Sequence, residues 1–243
     1  MIYTSRDATP PESPTLLWGA DGAYLYATWL PRDENPSTIA DRVQRLITAN
    51  APWVEHTQWR TTRNEPWPDE RERRVELVAR EVVRDDLGDA EPASGYSLML
   101  TAAGERLRFS VQLTAGAPTS GRRAPSNSLT VEIKEAIPRT VTEVVAETVI
   151  RAVIESWTPL VAASRDEETL IKASRGGWSI PVGYRTWIAD SVGQIDTSTG
   201  GIKSRLVAGG SYLTAPDAWD AEAVVDGMLR TFSANGLDKI RHT

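Results

Sequence analysis

The sequence predicts an α+β fold: a mainly antiparallel mixed sheet flanked by about four helices, in a single domain. Three observations carry this. Between residues 95 and 133 the apolar period becomes two and holds through three successive segments, joined by links that include the short Ala103-Gly104-Glu105. Helical stripes lie before and after that run instead of between every pair of strands, which separates the chain from an alternating strand–helix–strand pattern. No internal repeat or composition break divides the 243 residues, and a chain of that length buries about 70–75% of its unfolded surface.

Taken in order, residues 1–20 hold Pro10, Pro11 and Pro14 and read as a flexible arm, leaving 21–243 as the domain. Residues 23–29, rich in aromatic and β-forming side chains, predict a strand that Pro31 stops. Ser37 is placed to cap a helix whose face carries Ile39, Val43, Leu46 and Ile47 and which ends near Asn50 and Pro52. Residues 53–61 alternate loosely and predict a second strand beside the first. Asp69 with Glu72 suggests a capping arrangement for a helix reaching about Leu87.

Three strands follow, around Leu98 and Leu100, Leu107 to Leu113, and Leu129 to Ile133, with an exposed loop over 115–126. A third helix is expected from Pro138 to Trp157, where Pro159 ends it. Beyond a short 160–163 run, the polar 165–168 stretch has room for one or two helical turns. Residues 184–188 read as a strand, 196–201 as a polar loop, and 205–208 with 211–214 as a strand region broken by Gly209-Gly210. The last helix is expected to be capped by Asp217 and followed by Gly236.

Composition narrows the chemistry. The chain has no cysteine, which excludes disulfides, thiolate metal sites and cysteine nucleophiles and is what a cytoplasmic setting permits. With only His56 and His242, a histidine-based metal site has few ligands to draw on. No serine elbow or phosphate loop appears, and no cofactor is implied. A net charge of −6 spread along the chain argues against direct nucleic-acid binding, and no apolar run is long enough to span a membrane. Acidic runs such as 85–89 and 166–168 leave a carboxylate- or metal-dependent enzyme as one alternative. A structural subunit of a larger assembly is another.

Several short motifs occur in a particular order. Trp29-Leu30-Pro31-Arg32 ends a strand and leads to the helix at Ser37. Gly95-Tyr96-Ser97-Leu98, Asn127, Trp157-Thr158-Pro159 and Val182-Gly183-Tyr184-Arg185-Thr186-Trp187-Ile188 follow, then a late strand and helix. In that order, over about residues 23–235, they resemble the immunity protein 52 family of bacterial polymorphic toxin systems. Tyr184 departs from the pattern, standing directly after Gly183 where the family carries tryptophan.

The resemblance implies a cytoplasmic protein that binds and blocks a co-encoded toxin, often a nuclease of the restriction-endonuclease type. A nuclease cleft carries basic groups, so an inhibitor can meet it with carboxylates. Loop position nominates Asp33, Glu34, Asp190 and Asp196 for that role, with Trp178 and Trp187 as apolar anchors. The oligomeric state is left open.

Overall fold

Hydrogen-bonded pairing joins nine strands among the described residues into one sheet. Every pairing is antiparallel. The computed structural model describes residues 22–32, 34–55 and 57–241, so the expected arm, Asp33, His56 and His242 lie outside the described residues. The strands are β1 (Gly22–Trp29), β2 (Arg60–Thr61), β3 (Tyr96–Ala103), β4 (Leu107–Ala115), β5 (Asn127–Glu135), β6 (Val161–Arg165), β7 (Arg185–Ala189), β8 (Lys203–Val207) and β9 (Gly210–Thr214). They pair in the order β2-β3-β4-β5-β1-β6-β7-β9-β8. The helices are α1 (Pro36–Val54), α2 (Arg71–Arg80), α3 (Glu143–Trp157), α4 (Glu167–Ala173) and α5 (Ala221–Ala234). This is the α+β class read from the sequence.

Alternation along the strands sorts side chains onto two faces. Leu25, Ala27 and Trp29 of β1 share the inner face with Leu98 and Leu100, Phe109 to Leu113, and Leu129 to Ile133, all buried beneath α1, α2 and α3. The other face divides at β1. Over β6, β7 and β9 it is covered by α4 and α5, whose Val224, Met228 and Phe232 pack on Val161, Ile188 and Leu213. Over β3, β4 and β5 the side chains of that face are exposed or half-buried.

Several expectations give way to local physics. Residues 53–59 are not a strand beside β1: α1 continues to Val54, and only Arg60–Thr61 pairs, at the sheet edge with β3. Pro52 is tolerated in the last turn of the helix, where it and Thr48, one turn earlier, are both exposed, while Val54 is drawn into the core. Asn35, not Ser37, caps α1, accepting from Thr38 N at 2.9 Å. The second helix stops at Arg80, not Leu87. Val83 N bonds Gly95 O, and the Asp85 carboxylate accepts from the Leu87 and Asp89 amides, so turn chemistry overrides the apolar spacing.

The third helix starts at Glu143 because the Glu135 carboxylate holds the Arg139 and Val141 amides in a turn after Pro138. Asp220 caps α5, leaving Asp217 for another role. Residues 161–165, small and weakly β-forming, make β6, a central strand buried on both faces.

Candidate functional site

Six residues were expected to meet a partner, and the structure separates them. Asp33 lies outside the described residues. Glu34 is 5% exposed and bound into the scaffold. Its Oε1 lies 3.2 Å from Arg32 Nε and also pairs with Arg42 Nη1, and its Oε2 accepts from Trp29 Nε1 at 3.2 Å. Arg32 in turn donates to the Trp157 carbonyl at 2.6 Å, and Trp29 stacks on Trp157 with ring centroids 4.9 Å apart. One carboxylate thus ties the ends of β1 and α3 to α1. Burial lowers the Arg32 pKa against the opposing pull of Glu34.

The two expected anchors are also interior. Trp187 is 1% exposed, its Nε1 donating to Val207 O at 2.8 Å, and Trp178 is 6% exposed, its Nε1 donating to Gly121 O at 3.0 Å. These residues correct the expectation that they face solvent. Each ring fills a core, and the indole N–H is satisfied by a carbonyl, which is the usual way a large amphipathic side chain is buried.

Asp190 and Asp196 are exposed. Asp190 follows the end of β7, and its amide bonds Gly209 O at 3.0 Å. Asp196 sits on a loop held by Asn235, whose Oδ1 accepts from the Asp196 and Thr197 amides at 2.9 and 3.0 Å. Asp196 lines an open cleft of about 530 Å³ with Arg205, Leu206 and Ser211. Both carboxylates are free to meet a partner, but they stand on separate loops.

A second buried ion network was not foreseen. Arg185, 0% exposed, reaches Asp217 Oδ1 at 2.7 Å, Glu147 Oε1 at 3.2 Å and Glu143 Oε1 at 3.4 Å, and donates through Nη1 to the Tyr184 and Ala215 carbonyls. Its pKa is raised: burial opposes the charge, but the Asp217 bond and charge outweigh it. The Tyr184 hydroxyl meets the Trp219 carbonyl at 3.2 Å and Asp166 Oδ2 at 3.5 Å, and burial, then the Asp166 charge, pushes its pKa up to about 12. The acids of this network are engaged in holding α3 and the 215–217 segment to β7.

Among the described residues, the part of the outer face that the sheet leaves open lies over β3, β4 and β5. The register brings Thr101, Ser110, Glu132 and Tyr24 into one row across β3, β4, β5 and β1, with Met99, Gln112, Thr130 and Tyr26 in the next. Arg60 extends the first row at the edge, and Arg108 and Lys134 pair below it. Lys134 Nζ holds Glu132 at 2.9 Å. At the inner end of the first row Arg165 of β6 pairs with Tyr24. Residues paired across strands share a face, so the guanidinium belongs to this side, where α4 packs against β1.

Arg165 is 8% exposed, and its Nε and Nη1 are sealed from water with no hydrogen-bond partner. Burial lowers its pKa, opposed by nearby Tyr26. No apolar alternation marks such a residue in sequence. It reads there as the start of a polar stretch.

Among the described residues no group of three or more His, Asp or Glu is placed to hold a metal ion, and no helix is long and apolar enough to cross a membrane. No protein-family model matches the sequence, and no curated protein matches it. Among solved structures, the Pseudomonas aeruginosa T6SS protein PA0821 aligns with a TM-score of 0.48 at 12% identity, covering 90% of this chain and 80% of that one.

Proposed function

We propose that this protein is an immunity protein that acts in the cytoplasm, binding a co-encoded toxin, a nuclease in the reading that the sequence resemblance favours, and blocking it by a non-covalent fit. The observation that carries the reading is the outer face of the sheet. Three long strands present polar side chains there, while their opposite side is packed under helices. Side chains fixed on a hydrogen-bonded sheet are preorganised, so docking on them costs little ordering entropy.

The charged groups inside the molecule support the same reading. Glu34 and Arg185 hold the scaffold together through ion pairs, and of the nominated acids Asp190 and Asp196 are exposed, where they suit steering of a charged partner. The test is co-expression with the toxin encoded beside it, reading cell growth, followed by calorimetry of the two purified proteins. Rescue of growth with formation of a defined complex supports the assignment. Growth arrest despite abundant folded protein would overturn it.

A further inference from the structure

The unpartnered Arg165 deepens that reading, on which the identity of the natural partner here rests. A guanidinium stays protonated at any working pH, so burial cannot be relieved by losing the proton. Nor is it relieved by pairing: among the described residues the Arg165 side chain has no hydrogen bond or ion pair, and Nε and Nη1 are cut off from water. An uncompensated buried charge is costly, and native proteins seldom keep one without a use. Nη2 is the one guanidinium nitrogen not sealed from solvent.

We propose that Arg165 receives a carboxylate from a protein partner that docks across the outer face of β1, β5, β4 and β3. The charge pattern of that face favours an acidic occupant. Arg60, Arg108, Lys134 and Arg165 lie on it, with Glu132, already held by Lys134, and Glu167 of α4 beside Tyr24. This is a local excess of cations on a chain of net charge −6. A single carboxylate responds to the local excess and gains charge-assisted donors, whereas an extended polyanion also meets the repulsion of the rest of the chain. The half-buried rings of Tyr24 and Tyr26 flank the guanidinium and supply apolar walls.

The experiment uses the full chain, titrated by calorimetry with a ten-residue peptide that carries one glutamate among serines and glycines and, separately, with a ten-nucleotide single-stranded DNA, for wild type, Arg165→Met and Arg108→Glu. The glutamate peptide is expected to bind wild type, to bind Arg165→Met at least tenfold more weakly, and to lose several-fold on Arg108→Glu, an exposed position that leaves the fold intact. Arg165→Met is expected to melt no lower than wild type, since methionine fills similar space without the charge. Peptide binding indifferent to both substitutions, tighter binding of the DNA, or a marked fall in the Arg165→Met melting temperature would each overturn the proposal. The probe is a peptide, so the two readings fail separately. A toxin that is not bound removes the immunity assignment, whereas lost peptide binding with intact protection against the toxin removes only the Arg165 site.

Discussion

Replacing Glu34 with glutamine tests whether that residue belongs to the scaffold or to a binding surface. The side chain is 1% exposed and faces two guanidinium groups with 28% and 17% exposure, Arg32 and Arg42. Removing one member of a fully buried ion pair costs about 3–5 kcal/mol, because the remaining charge is left without compensation. Here water reaches both arginines, and glutamine keeps an acceptor for Trp29 Nε1, so the cost falls to about 2–3 kcal/mol. For a chain of this size that lowers the melting temperature by roughly 4–12 °C. Calorimetric melting of Glu34→Gln against wild type is the assay, paired with toxin protection at a temperature where both are folded. A Glu34→Gln protein that melts like wild type but no longer protects would refute the reasoning, since it would place the carboxylate at the interface.

Other substitutions follow from the same geometry. Trp187→Ala empties a fully buried site and strips the Val207 carbonyl of its donor, so a loss of about 3–5 kcal/mol is expected in urea unfolding; a change below about 1 kcal/mol would mean the ring is not core. Tyr184 has its pKa pushed up to about 12, above the ordinary tyrosine value of about 10. The folded state therefore holds that proton more tightly than the unfolded chain, and the resulting stability is complete below about pH 10 and lost as pH rises through about 12. Tyr184→Phe should flatten the decline of the urea midpoint over that window, and an unaltered slope would contradict the assignment. The Asp190→Ala, Asp196→Ala double variant should shift stability by no more than about 0.5 kcal/mol while slowing association with the toxin at low salt. An unchanged association rate would remove both carboxylates from the steering surface.

Much of the scaffold was legible because its cause is local. The alternation of Leu107, Phe109, Val111 and Leu113 fixes which side of β4 is buried, and the stripe of Val224, Met228 and Phe232 fixes the inner face of α5. Misreadings arose where distant contacts or turn chemistry decide. β6 is a strand because β1 and β7 flank it, not because Val161-Ala162-Ala163-Ser164-Arg165 favours extension. Val82, Val83 and Leu87 keep helical spacing, yet Asp85 bends the chain away from a helix.

The candidate site was less legible for a related reason. Trp187 and Glu34 flank loops in the sequence, but burial depends on which elements close over those loops, and that follows from the sheet order. Arg165 gave no signal at all. Its interest comes from the absence of a partner for a buried charge, which only the packed structure reveals.

The central claim is that this molecule works by fitting another protein against the uncovered side of its sheet. Hydrogen exchange of the purified protein, alone and with the proposed toxin partner, tests this most directly. Slowed exchange confined to β1, β3, β4, β5 and the α4 that packs against β1 is the expected result. Protection over α1, α2 and α3 alone, with the outer strands unaffected, would contradict it.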